Sequence, residues 1–148
     1  MEDARGKAHI LVIEDEDNIA IALDYLLTRE GYEQTRIDTG AGAVDLIRDM
    51  RPDLVLLDVM LPEVSGYEIC QSVRADPDVG KTPILMMTAR GSAMERRKGL
   101  AMGATGFISK PFELKALREE VRRILADPDA ATAAAEAATA DAAGQGNA

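Results

Sequence analysis

The sequence predicts an α/β fold, a doubly wound parallel sheet of five strands with helices on both faces. Short apolar runs and stretches with helical spacing alternate five times over residues 8–125. Strict alternation of this kind is typical of a parallel sheet. The runs are almost continuously apolar, as expected for strands that are covered on both faces. Such a sheet forms a crevice at the carboxyl ends of its strands, where functional residues are expected.

Each element follows from a local pattern. Apolar runs of four residues predict strands at 10–13, 54–57 and 84–87, and a shorter run predicts one at 107–108. A weaker, mixed pattern predicts a further strand at 33–37. Helical spacing of apolar residues, with Gly and Pro at several ends, predicts helices at 18–29, 43–50, 65–75, 93–102 and 114–125. The second strand is the most polar, so it is expected at an edge of the sheet.

Composition excludes several classes of protein. The chain has 148 residues and a formal net charge of −9, which argues against nonspecific binding to nucleic acid or to anionic membranes. Its single cysteine, Cys70, cannot form an internal disulfide. The start lacks the apolar stretch of a signal peptide, and no run approaches the ~20 apolar residues of a membrane span. We therefore expect a cytoplasmic protein that has no membrane segment.

The composition changes after Leu125. Of the 23 residues in 126–148, 12 are Ala, and the segment has no large apolar side chain with which to dock. We predict a domain over 8–125, followed by an Ala-rich, disordered C-terminal tail over 126–148. Alanine favours helix, so a helix induced by a partner is the alternative interpretation of the tail.

Polar side chains follow four of the predicted strands. They are Glu14 to Asp17 after the first strand, Asp58 after the third, Thr88 after the fourth and Lys110 after the fifth. Any one of them could be a helix cap or a solvated loop residue. Asp58 is harder to explain in that way, because it directly follows four large apolar residues. We expect the set to converge at one end of the sheet.

The chemistry of this set is specific. Converging carboxylates repel one another and need a cation, and oxygen ligands favour Mg²⁺ or Mn²⁺ over Zn²⁺. A carboxylate can act as a nucleophile and become an aspartyl phosphate. Lysine and threonine can both donate hydrogen bonds to phosphoryl oxygens. The set therefore indicates metal-assisted phosphoryl transfer to an aspartate.

The motifs Glu14-Asp15, Asp58, Thr88-Ala89 and Lys110-Pro111-Phe112 resemble those of the receiver domain of bacterial two-component response regulators, the CheY-like family. The loop 61–66 resembles the loop that follows the phosphorylated strand in that family. The resemblance covers the whole of 8–125. It implies a flavodoxin-like (βα)5 fold with strand order 2-1-3-4-5.

The resemblance also implies a metal site that holds Mg²⁺, for which Mn²⁺ can substitute. Asp58 would be the phosphoacceptor and a ligand. Asp15 would bind the metal directly and Glu14 mainly through a water molecule, while the main-chain carbonyl of Met60 would be a further ligand. Glu14 stands where aspartate is commoner in the family, so the metal affinity is expected to be altered.

The remaining family positions concern the phosphoryl group and the switch. Lys110 would pair with Asp58 and then with the phosphoryl group, and its bond to Pro111 would be cis. Thr88 would hydrogen-bond a phosphoryl oxygen, and Phe107 would swing inward when Thr88 moves. A buried Phe107 is also what an ordinary core residue would show.

The resemblance implies a regulatory phosphoacceptor domain rather than an enzyme. Such a domain catalyses only its own phosphorylation and dephosphorylation. The expected phosphoryl donor is a sensor histidine kinase or a histidine phosphotransfer protein. The expected output is a stand-alone switch that binds an unknown protein through the fourth helix, fifth strand and fifth helix, with no direct contact to nucleic acid or membrane. Thr105-Gly106 replace an acidic pair of the family members that dimerise through this face, which weakens the prediction of such a dimer.

Three alternatives remain. The chain could be the receiver fragment of a longer, for example transcriptional, regulator whose linker begins at the Ala-rich tail. It could be a pseudo-receiver that binds partners without being phosphorylated, although its residue set is complete. A small haloacid-dehalogenase-like phosphatase also uses an aspartate nucleophile, but it wants a second aspartate at the position that Met60 occupies.

Overall fold

Five parallel strands form one sheet in the computed structural model, which describes residues 7–89 and 93–127. The strand order is β2-β1-β3-β4-β5, with β3 at the centre and the polar β2 at an edge, as predicted. The strands are β1 (His9–Ile13), β2 (Glu33–Ile37), β3 (Leu54–Asp58), β4 (Ile84–Thr88) and β5 (Gly106–Ser109). All four strand pairs in the described residues are parallel.

Helices cover both faces of this sheet. They are α1 (Asp17–Arg29), α2 (Ala43–Met50), α3 (Gly66–Ala75), α4 (Ala93–Ala101) and α5 (Leu114–Ala126). Buried side chains of α1 and α5 belong to one apolar cluster, and those of α2, α3 and α4 belong to the other. Within the described residues, no helix combines the length and the apolar character that crossing a bilayer requires.

The pleat of the central strands explains the continuous apolar runs. Ile10 and Val12 of β1 pack on the side of α1 and α5, whereas Leu11 and Ile13 pack on the opposite side. Successive side chains of a strand point to opposite faces, so a strand with helices on both sides must be apolar at every position. The predicted fold class and strand order are confirmed.

Four strands are longer than predicted by one or two residues, and two of these extensions concern the site. β3 ends at Asp58 and β4 ends at Thr88, so these two polar residues lie inside the sheet ladder rather than after it. Their main chains are therefore held by strand pairing, and Asp58 pairs in register with Met87. At the other end of the chain, α5 reaches Ala126. Apart from Ala126 and Asp127, the predicted tail lies outside the described residues.

Helix α3 begins directly beside the end of β3. The N–H of Gly66 donates to the carbonyl of Val59 at 3.0 Å. A Cβ at position 66 would collide with the main chain of Asp58 and lie 2.8 Å from Cα of Val59, so only glycine fits this approach. Ser65 caps the helix in a reciprocal capping box with Glu68. The start of α3 is thereby fixed against the strand that carries Asp58.

Replacing the cap tests this local account. Ser65→Ala removes the side-chain acceptor of the Glu68 N–H, so we expect the free energy of unfolding to fall by about 1 kcal/mol. Ser72→Ala lies in the same helix on an exposed position and is the matched control. Because alanine favours helix interiors, this control should be neutral or slightly stabilising. Urea denaturation measures both, and equal losses in the two variants would contradict the role of the cap.

Candidate functional site

The carboxyl edge of the sheet places four predicted residues together. Asp58 and Thr88 end β3 and β4, Glu14 directly follows β1, and Lys110 directly follows β5. Main-chain hydrogen bonds continue the ladder past two strand ends. The N–H of Glu14 donates to Ile37 at 3.1 Å, and the N–H of Lys110 donates to Thr88 at 2.7 Å. These bonds fix where the side chains of Glu14 and Lys110 leave the sheet.

The ammonium group of Lys110 is the centre of the site. Its Nζ lies 2.8 Å from Oε1 of Glu14, 3.1 Å from Oδ2 of Asp58 and 3.4 Å from Oε1 of Glu16. The lysine side chain is only 7% exposed. One ammonium therefore faces three carboxylates, two of which, Glu14 and Asp58, are themselves buried.

This excess of acids over bases perturbs two pKa values. Burial raises the pKa of Glu14 from 4.5 to about 7, and the nearby ammonium group of Lys110 offsets only part of that increase. Burial alone would lower the pKa of Lys110, but Glu14 and Asp58 beside it raise the pKa above its ordinary value. The lysine is therefore charged at neutral pH, and it does not fully compensate the carboxylates around it.

The donor set fits a hard divalent cation. Glu14, Glu16 and Asp58 each offer a carboxylate oxygen, and these oxygens lie within 4.8 Å of one another. Among the described residues, Oε1 of Glu14 is buried and has no hydrogen-bond partner, although the ammonium lies close enough for an ion pair. Oxygen ligands of this kind are those that Mg²⁺ prefers in proteins. The residues present thus suit the expected metal.

The two acids that follow Glu14 in the turn after β1 are placed differently. Asp15 is exposed and does not belong to the converging group, whereas Glu16 does. The N–H of Glu16 donates to Oε2 of Glu14 at 3.1 Å, which folds the turn back on itself. Sequence analysis noted the run of four acids but assigned no role to Glu16, because side-chain directions within a turn are not visible in the sequence.

Met60 and Asp58 are joined through the main chain. The N–H of Met60 donates to Oδ1 of Asp58 at 3.0 Å, while the side chain of Met60 is 51% exposed. One carboxylate oxygen of Asp58 is therefore held by this N–H and the other, Oδ2, by Lys110. The carboxylate has a fixed orientation at the mouth of the crevice.

The expected switch residues, Thr88 and Phe107, lie on the neighbouring strands β4 and β5. Thr88 is fully buried and Phe107 is 3% exposed, so the aromatic ring is already turned inward. The ring lies under α4, where Gly99 allows it to approach: a Cβ at position 99 would come within 3.0 Å of the ring. The peptide bond between Lys110 and Pro111 is cis.

Comparison with known proteins assigns this arrangement to a family. The model of the response regulator receiver domain matches residues 10–122. The chain is similar to the phosphate regulon transcriptional regulatory protein PhoB of Rhizobium meliloti (strain 1021), with 42% identity over 116 residues. That alignment covers 78% of this chain and 51% of PhoB, so the chain spans about half the length of this curated relative.

Solved structures agree with this assignment. The chemotaxis response regulator CheY4 of Vibrio cholerae is 31% identical with a TM-score of 0.74, over 80% of this chain and 98% of CheY4. The receiver domain of the sensor histidine kinase PA1611 from Pseudomonas aeruginosa PAO1, solved with a magnesium ion in its active-site cleft, is 27% identical with a TM-score of 0.76, over 82% of this chain and all of that one. The chain belongs to the response regulator receiver domain family of two-component systems.

The buried Glu14 makes stability depend on pH in a defined direction. Because its pKa is about 7 in the folded protein against 4.5 ordinarily, the folded state holds more protons than the unfolded state between these values. Its contribution to the free energy of unfolding therefore falls as pH rises from 4.5 to 7 and is constant above. Without divalent cations, the wild type should lose up to about 3 kcal/mol relative to Glu14→Gln across this window. Parallel urea-denaturation profiles for the two proteins would contradict the perturbed pKa.

Proposed function

We propose that this chain accepts a phosphoryl group on Asp58 and uses it to switch the binding of a partner protein. The proposed donor is a phosphohistidine on a sensor histidine kinase or on a histidine phosphotransfer protein. The observation that carries the proposal is the fixed Asp58 carboxylate, buried at the carboxyl edge of the sheet with Lys110 at 3.1 Å. Membership of the receiver family supports the same reaction.

The transfer step follows from the position of Asp58. A carboxylate oxygen of Asp58 attacks phosphorus, and a P–O bond forms as the P–N bond to the donor imidazole breaks. The electron pair of the broken bond remains on the imidazole nitrogen. Lys110 is placed to donate to a phosphoryl oxygen, and it would stabilise the charge that three phosphoryl oxygens carry. Because the Lys110 and Asp58 side chains are buried, this interaction is stronger than it would be in water.

Mg²⁺ would be held by carboxylates of the acidic turn and by Asp58, together with the main-chain carbonyl of Met60. When bound, the ion neutralises phosphoryl charge that the single lysine cannot balance. Glu14 and Glu16 supply carboxylates within the converging group, and Asp15 joins the ligands if its exposed side chain turns inward. Mn²⁺, which also takes oxygen ligands, would substitute.

The phosphoryl group would be read out by Thr88 and Phe107. A hydrogen bond from Thr88 to a phosphoryl oxygen would hold the end of β4, and Phe107 would remain buried beneath α4. In the two-state view, phosphorylation selects one of two pre-existing arrangements rather than creating a new one. The surface that responds would be formed by α4, β5 and α5, and it would bind a protein rather than nucleic acid.

A second candidate is favoured by a specific observation. The chain spans about half the length of PhoB, which is named as a transcriptional regulatory protein. The same phosphoacceptor chemistry would then act within a longer regulator, and the face of α4, β5 and α5 would contact another part of that regulator. In both cases the chain acts as a regulatory phosphoacceptor, whose only reactions are its own phosphorylation and dephosphorylation.

Phosphorylation of Asp58 can be tested by intact mass after incubation with acetyl phosphate and Mg²⁺. We expect a gain of one phosphoryl group in the wild type and none in Asp58→Asn, because the amide is not a nucleophile of comparable strength. Asp53→Asn is the matched control, since Asp53 precedes the same strand at its opposite end. This control should be phosphorylated like the wild type.

Two results would count against the proposal. Stoichiometric phosphorylation of Asp58→Asn would place the acceptor elsewhere. A wild-type chain that binds Mg²⁺ but gains no phosphoryl group from acetyl phosphate or from a phosphohistidine protein would be a pseudo-receiver.

A further inference from the structure

Arg36 joins the edge strand β2 to the acidic turn that follows β1. Its Nε and Nη2 donate to the main-chain carbonyl of Glu14 at 2.9 and 2.8 Å. Its Nη1 donates to Oδ1 of Asp17 at 3.1 Å. The planar guanidinium can hold these three contacts at once, because its donors point in fixed directions. The arginine thus forms hydrogen bonds with the first and the last residue of the turn, Glu14 and Asp17.

The contact with Glu14 fixes the direction of the turn. The ladder between β1 and β2 reaches its last main-chain bond where the N–H of Glu14 donates to Ile37. The main-chain carbonyl of the same residue, Glu14, accepts hydrogen bonds from the side chain of Arg36. The orientation of this carbonyl sets the plane of the peptide bond that leads into Asp15 and Glu16. The ion pair with Asp17 contributes less, because Asp17 is 82% exposed and surface ion pairs are weak.

The turn held in this way supplies two of the three converging carboxylates. Glu14 lies at the end of β1 and Glu16 lies at the N-cap of α1, and the carboxylates of both contact the ammonium group of Lys110. Glu16 caps α1 without a side-chain hydrogen bond to the helix, so its carboxylate is available to the crevice. The direction of both side chains depends on the main chain between them.

We propose that Arg36 is a positioning residue for the cation site, which acts by fixing the main chain of the acidic turn rather than by touching the cation. This inference rests on the proposed function in one respect, namely that the acidic cluster binds a divalent cation. Groups that hold metal ligands in place typically change metal affinity by roughly 10–100-fold when they are removed. Arg36 acts on the main chain of such a residue.

The charge of Arg36 and its proposed positioning role predict opposite changes in Mg²⁺ affinity when the residue is replaced, so a titration can distinguish them. Arg36 is positively charged, so its removal makes the surroundings more negative and should by itself strengthen Mg²⁺ binding. Loss of the fixed turn should weaken it. If the positioning role dominates, Arg36→Gln binds Mg²⁺ more weakly despite the added negative charge.

The experiment is a calorimetric titration of the protein with MgCl₂ at about 0.15 M ionic strength, where distant charges are screened. We expect the Kd of Arg36→Gln to rise about tenfold. Arg36→Lys keeps the charge but loses the two-nitrogen contact, so its Kd should rise as well, by a smaller factor. Asp17→Asn removes only the weaker contact and should stay within about twofold of the wild type.

Arg48→Gln is the matched control for the change of charge. Arg48 pairs with Asp45 and Asp76, away from the site, and its removal changes the net charge by the same amount. Its Kd should equal that of the wild type or fall slightly. Circular dichroism at the titration temperature verifies that each variant is folded. If Arg36→Gln is unfolded, the Kd of Arg36→Lys tests the positioning role instead.

The outcomes separate this inference from the proposed function. Saturable Mg²⁺ binding by the wild type, with unchanged or tighter binding by folded Arg36 variants, would overturn the positioning role alone. Absence of saturable binding by the wild type would overturn the proposed function and this inference together. Weaker binding by both Arg36 variants, with Arg48→Gln unchanged, supports the positioning role.

Discussion

Two carboxylates are buried at one edge of the sheet with a single ammonium group between them, and the rest of the site is arranged around that imbalance. Glu14 and Asp58 both contact Nζ of Lys110, and Glu16 approaches it from the surface. Burying an ionised carboxylate is costly unless a partner compensates it. Here the compensation is incomplete, as the raised pKa of Glu14 indicates. Unbalanced buried acids whose oxygens converge favour the binding of a divalent cation.

The fold brings these charged groups together, but it is held by other interactions. The apolar clusters on the two faces of the sheet fix the strands, and parallel pairing brings all carboxyl ends to one edge. The acids and the lysine then stand on main chain that the ladder holds rigidly. Stability lost at the edge is offset by the apolar core beneath it. This division of roles explains how one fold can carry a strained group of charges at its rim.

Much of the fold could be predicted from sequence, because buried parallel strands are apolar at every position. Asp58 and Thr88 could be placed at strand ends, although they proved to lie inside the ladder. The direction of the acidic turn could not be predicted. Arg36 contacts the main chain of this turn from another strand, and no local pattern in the sequence indicates that contact. The close approach of Phe107 to Gly99 of α4 is likewise not visible in local patterns, which do not connect α4 to β5.

The central claim is that the carboxyl edge is a divalent cation site. The most direct test is a Mg²⁺ titration of ¹⁵N-labelled protein followed by NMR. The account predicts saturable shifts of the amide signals confined to 14–17, 58–60 and the neighbourhood of Lys110, all with one Kd. Absence of saturable shifts, or weak shifts spread over exposed acids such as Asp45, Asp78 and Glu119, would contradict it.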